Sequence, residues 1–283
     1  MTGKHQRPGP GARRRAPGGS PRAGGGERGY YLYGIVATPA AGQLPVGLTT
    51  ACSIERIVAR DLCAIVQSVP LAEFTHEALE TRLRDRAWVE SAVLAHDAMV
   101  ERIHRHCAVL PSKFGAVYAR TEDLATALDT EHDRLLDALG RIDGRDEWLV
   151  EVRAKTTDVE NVASRAVGRT QRDARPGHAY FAKRRREREA SDAVDRVINE
   201  IEEASYNAIL PGADGGCLMP RSEPRSRREV EIMRAAFLVR RGAEEAFLRS
   251  LHDFTMQDVP LSSEYTGPLP PYSFAVINAE SSP

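Results

Sequence analysis

Residues Tyr265 to Phe274, YTGPLPPYSF, constrain the fold more than any other stretch of this chain. Pro268, Pro270 and Pro271 remove three backbone donors within four positions and hold φ near about −65°. The segment is therefore expected to run as an extended, polyproline-like arm that does not pair inside a sheet, with Gly267 supplying the turn into it. After it, Tyr272, Phe274 and Val276 alternate with Ser273, Ala275 and Ile277, the period of a short last strand whose register the arm would fix. Two uses stay open: a stiff lead into that strand, or a rigid arm that presents Tyr265 and Tyr272 to a partner.

Hydrophobic period organises the rest into two α+β units. Tyr31, Tyr33 and Ile35 alternate with Leu32, Gly34 and Val36 and are apolar on both sides, as in a central strand. Ser53 to Ala59 and Leu62 to Val69 flank Arg60-Asp61 as a hairpin. From His76 to Cys107 the apolar spacing turns helical, and Pro111 ends it. Ala108 to Tyr118 reads as extended around Gly115, and Glu122 to Leu139 as a helix capped by Thr121. Gly140 to Gly144, GRIDG, separates residues 30–143 from a second domain, 144–283. There the order is a strand Glu147 to Ala154, a weak helix Asp158 to Val167 and a polar loop to Gly177. A long helix follows, with a heptad seam at Ala190, Val194, Val197, Ile201, Ala204 and Ala208. It either packs on its own domain or protrudes as an arm headed by KRRR. Strands at Gly216 to Pro220 and Glu229 to Arg240, a helix Ala243 to Phe254 and the strand Tyr272 to Ile277 complete the chain. That order, β-α-β-β-α-β, is the ferredoxin-like arrangement.

Residues 1–29 hold nine glycines, four prolines and seven Lys or Arg against the single acid Glu27, with almost no apolar side chains. Such a tail cannot bury enough surface to offset chain entropy, and disorder is expected. The net charge of −1 for the whole chain thus hides about −7 on the remainder. No secretory leader or transmembrane run is visible, which points to a cytoplasmic protein with no membrane partner. Cys52, Cys63, Cys107 and Cys217 have no zinc-knuckle or redox-dithiol spacing. His96, His104, His106 and Cys107 invite a metal reading, but His96 and Cys107 stand about 16 Å apart along a straight helix, too far for one ion. No nucleotide loop, HExxH or GxSxG run occurs. Neither an enzyme nor a cofactor is expected.

Four segments in fixed order, YYLYGIV (Tyr30 to Val36), LPSKFGAVY (Leu110 to Tyr118), AAFLVRR (Ala235 to Arg241) and YTGPLPPYSF, resemble the gas-vesicle accessory proteins of the F/L type, the GvpL/GvpF family. The likeness spans roughly residues 30 to 277 and leaves 1–29 unmatched. Lys113 stands where the family more often carries arginine, exchanging a planar fork for a point charge. The resemblance implies two α+β domains, the second a modified ferredoxin-like fold. It also implies a noncatalytic role in assembly of the gas-filled shell, with the small hydrophobic shell subunit and other accessory proteins as partners. Apolar subunit surface aggregates unless something covers it, so a docking surface is needed. The candidates are Leu110, Pro111, Lys113, Phe114 and Tyr118 in the first domain and Tyr265, Pro268, Pro271 and Tyr272 in the second. The alternative is a ferredoxin-like nucleic-acid-binding module with a basic tail, although the chain lacks the aromatic run that displays stacking rings on an open sheet.

Overall fold

The computed structural model describes residues 27–45, 54–168, 179–222, 228–256 and 258–275. Most of the basic tail (1–26), Ser53, the polar loop and the positions of Val276 and Ile277 lie outside the described residues. Arg28 and Gly29, assigned above to the tail, instead open the first strand.

Two antiparallel sheets carry the fold. The first contains β1 (Arg28–Ala37), β2 (Ile54–Ala59), β3 (Leu62–Pro70), β4 (Leu110–Pro111) and β5 (Val117–Tyr118), ordered β2-β3-β1-β4 with β5 also on β1. The expected hairpin forms between β2 and β3, and Arg60 at its turn takes φ 52°. In β1 the register shifts between Leu32 and Gly34, so one residue is bulged out. That bulge corrects the simple alternation read from sequence. Tyr31, Tyr33 and Val36 face one core, while Leu32 and Ile35 share the other. Gly34 sits where a Cβ would fall 2.7 Å from the Leu110 carbonyl oxygen, so only glycine lets β4 approach.

Helices His76–Arg82 and Arg86–His104 follow the sequence expectation, started by Thr75 Oγ1 and Asp85 Oδ1, which accept backbone N–H bonds from the first turns. The third expected helix differs. Glu131, at φ −100° and ψ 12°, breaks it into Thr121–Thr130 and His132–Ile142. The cap position is Arg120 rather than Thr121, and its guanidinium reaches forward to Asp123 at 2.7 Å.

The second sheet contains β6 (Arg145–Lys155), β7 (Gly215–Leu218), β8 (Glu229–Arg240) and β9 (Leu261–Leu269), ordered β7-β8-β6-β9. With helices Thr156–Gly168, Ala179–Ile209 and Glu244–Asp253 between them, this is the ferredoxin-like order. Its core joins Trp148, Val150 and Val152 of β6 to Phe237 and Val239 of β8 and to Phe247. The long helix contributes Ala193, Val197, Ile198 and Ile201. Ser205 and Ile209 are buried along the same stripe, whereas Ala190 and Ala208 are exposed. The heptad seam is therefore rotated: successive spacings of four follow a 3.6-residue helix lying on a sheet.

The last strand is the clearest correction. It is Leu261–Leu269, not Tyr272 to Ile277, and it includes Pro268 of the proline-rich arm. The pairing survives because β9 is an edge strand and its register with β6 shifts between Glu147 and Leu149, opposite the cis Gly267-Pro268 bond. Gly267 lies against the Trp148 ring, where a Cβ would come within 2.6 Å. Pro270 and Pro271 are buried, and Tyr272 to Phe274 form a turn closed by Ala275 N donating to Pro271 O at 3.0 Å.

Candidate partner-binding surface

The helix Arg86–His104 is where the four segments meet. Tyr31 of the first segment places its hydroxyl 2.8 Å from His96 Nδ1, and Phe114 of the second stands edge-on to the same imidazole, with centroids 6.0 Å apart. Arg241 of the third reaches the His104 carbonyl oxygen at 3.0 Å. Tyr272 of the fourth donates its hydroxyl to Asp97 Oδ1 at 2.8 Å. Residues more than 170 positions apart in sequence thus converge on one helical surface.

Electrostatics fixes the protonation of these groups. The Tyr31 hydroxyl oxygen accepts the Gly115 N–H at 3.3 Å and lies 2.8 Å from His96 Nδ1. Burial pushes the Tyr31 phenol up to about 12 against the pull of Gly115, and burial lowers His96 despite Asp97 and the Ser112 backbone. Burial, with Asp97 beside it, also raises the Tyr272 phenol. At neutral pH these phenols keep their protons and the His96 ring is uncharged, so the cluster offers rings and fixed dipoles for contact.

Beneath this surface the two sheets are tied together. Asp146, at the start of β6, accepts from His104 Nε2 at 2.7 Å and Arg241 Nε at 3.0 Å. Burial opposes its charge, but these two hydrogen bonds outweigh it and hold the carboxyl below the usual range. Next to it, buried Glu147 accepts the Ser273 N–H at 2.7 Å and the Ser273 hydroxyl at 2.9 Å, and its carboxyl is raised by burial. Leu238 and Ala275 enter the core that contains Leu110, Leu135 and Leu139.

The sequence candidates divide into four places. Leu110 and Pro111 are buried in β4, and Pro271 is buried in the terminal turn, so their role in the fold is packing. Lys113 is exposed, Phe114 is half-buried beside helix Arg86–His104, and Tyr272, 38% exposed in the terminal turn, bonds Asp97 of the same helix. Tyr118 is half-buried on β5, opposite Tyr30. Tyr265 and Pro268 lie apart from this group on the exposed β9 edge, the Tyr265 ring 5.8 Å from that of Trp148.

Sequence reasoning missed Asp97, Asp146, Glu147 and Ser273, whose partners are 40 or more residues away. His96 and His104, weighed as metal ligands, instead bond Tyr31 and Asp146. Burial pushes the Cys107 thiol up to about 11. Among the described residues no three His, Cys, Asp or Glu side chains converge as a metal would require.

The sequence matches the family described as "Gas vesicle synthesis protein GvpL/GvpF" over residues 29–276. The chain belongs to the GvpL/GvpF family. It is 28% identical over 258 residues to gas vesicle protein L of Streptomyces sp. (strain CB03234), covering 90% of this chain and 95% of the relative. To gas vesicle protein F of the same organism it is 25% identical over 262 residues, covering 86% and 98%. The fold matches the crystal structure of GvpF from Anabaena sp. PCC7120 with TM-score 0.60 at 20% identity, over 88% of this chain and 97% of that one. GvpF from Microcystis aeruginosa gives 0.58 at 15% identity, over 87% and 98%. GvpL/GvpF membership makes the chain a gas-vesicle accessory protein with partners among gas-vesicle proteins. Among the described residues no helix is long and apolar enough to cross a membrane.

Proposed function

We propose that this GvpL/GvpF protein is a noncatalytic, cytoplasmic assembly factor that docks the small hydrophobic shell subunit on the surface of helix Arg86–His104. The observation that carries this reading is the convergence of all four family-like segments on that helix. Around it, Leu94 is 68% exposed, Tyr272 38% exposed and Phe114 half-buried. Tyr272 is bonded to Asp97, three positions along the helix from exposed Leu94, and a partly exposed aromatic anchor on the same face as an apolar side chain is the composition of a contact hot spot. Trp148 and Phe237, the rings of β6 and β8, are buried against helices, so they give the nucleic-acid alternative no stacking platform.

Deleting residues 265–277 would remove half of β9 and the buried Ala275, so point substitutions on exposed atoms make the cleaner test. Tagged protein carrying Leu94→Glu and Lys113→Glu should retain at least about tenfold less co-expressed shell subunit than wild type, about 1.4 kcal/mol, with unchanged circular dichroism. Equal retention by both forms would remove this face from the proposal.

A further inference from the structure

Between the two sheets, away from helix Arg86–His104, a cleft of about 710 Å³ opens. Its apolar lining comes from both units: Leu110, Leu135 and Ala138 on one side, and Leu238, Phe274 and Ala275 on the other. Three guanidinium groups, Arg134, Arg141 and Arg145, line it against the single carboxylate of Asp214. That carboxylate is already shared, by Arg145 at 2.5 Å and by Arg240 at 3.1 Å. Arg141, exposed at the end of helix His132–Ile142, has no ion-pair partner among the described residues. The cleft therefore combines an apolar interior with surplus positive charge, at a size within the roughly 300–1,000 Å³ of ligand sites that favour junctions between units.

We propose that this cleft binds an acidic amphipathic segment of a partner protein, apolar side chains against Leu135, Leu238 and Phe274 and carboxylates on the arginine rim. Charge complementarity selects that occupant. Arg134 is paired with Glu131 and Arg145 with Asp214, so a purely apolar segment would leave Arg141 without a partner, and a basic one would be repelled. Arginine is the cation best shaped for carboxylates, because its planar fork donates to two oxygens at once and is weakly hydrated. The recognition mode is a helix or extended segment laid in a groove, read by its apolar face and oriented by charge at the rim. This contact is chemically distinct from the aromatic surface on helix Arg86–His104 and does not depend on it.

The test uses the full-length protein and a fluorescent twelve-residue model peptide with leucines on one helical face and glutamates on the other. A control peptide carries lysines in place of the glutamates. Anisotropy titration should show saturable binding of the glutamate peptide that weakens at least tenfold when salt rises from about 50 to 500 mM, since exposed charges are screened. Binding should be at least tenfold weaker with Arg141→Gln and weaker still with Arg141→Glu, a position whose exposure leaves folding intact. The Leu94→Glu, Lys113→Glu form should bind the peptide as wild type does, which separates this site from the shell-subunit face. Equal binding of the lysine peptide, or no effect of Arg141→Glu, would overturn the proposal. Binding that appears only after residues 276–283 are deleted would overturn it too, by assigning the cleft to the chain's own terminus.

Discussion

Replacing Asp146 by Asn should loosen the junction of the two sheets and change how stability depends on pH. Asp146 is 7% exposed and accepts from His104 at 2.7 Å and Arg241 at 3.0 Å. Hydrogen bonds to an ionised acceptor contribute about 1.5–3 kcal/mol each. Two terms reduce that sum: Asn no longer carries a buried charge, and the Arg241 side chain, 39% exposed, can rehydrate. One term works the other way. If the Asn amide donates to His104 Nε2, the imidazole proton must move to Nδ1, which is buried without a partner. The net cost should be about 2–3 kcal/mol, or a melting temperature lower by roughly 4–10 °C for a chain of this size. Asp146 has a depressed folded pKa, so its contribution is present above the unfolded value near about 4 and is lost as pH falls through the folded one. Urea unfolding followed by Trp88 and Trp148 fluorescence, at pH 7 and pH 3, should therefore show a gap between wild type and Asp146→Asn that shrinks in acid. A gap under about 0.5 kcal/mol at pH 7, or one that is the same at both pH values, would refute the reasoning.

Glu147 has the opposite sign. Its raised folded pKa means its contribution is full below the unfolded value and is lost as pH rises through the folded one. Glu147→Gln keeps an acceptor for the Ser273 N–H and offers an amide N–H to the Ser273 hydroxyl, which then turns to accept, so its melting temperature should gain on wild type between pH 4 and 7, and a parallel pair of curves would contradict this. Gly267→Ala puts a methyl 2.6 Å from the Trp148 ring and should cost about 1–3 kcal/mol, with altered Trp148 emission in the folded state. Arg60→Gly should stabilise by about 0.5–1 kcal/mol, the relief of a left-handed non-glycine residue less the added chain entropy. A chemical melt that shows destabilisation would argue against φ 52° at that turn.

Strands and helices defined by their own side-chain period were legible in the sequence. β8 occupies the span read from its apolar pattern, and the β2–β3 hairpin turns at Arg60-Asp61. What failed depended on partners. The proline-rich arm reads as unable to pair, yet an edge position needs ladder bonds on one side only, and a register shift accommodates Pro268. The bulge in β1 lies beside Gly34, which Leu110 approaches from 76 residues away, a contact that no local pattern encodes. Ala190 and Ala208 fitted a heptad because alanine is small and apolar enough to fit any face, and only the sheet decides which stripe is buried. The candidate surface was half legible: Phe114 and Tyr272 lie on it, but their common support, helix Arg86–His104, drew notice only for its histidines.

We propose that the shell subunit docks on helix Arg86–His104, which carries exposed Leu94 and supports Phe114. A photo-crosslinking amino acid placed at position 94, at 114 or, as a control, at 187 on the long helix would test it in cells that co-express the shell subunit. Crosslinks to that subunit from 94 and 114 but not from 187 are the expected result. Crosslinks from 187 alone, or equally from all three positions, would contradict the account.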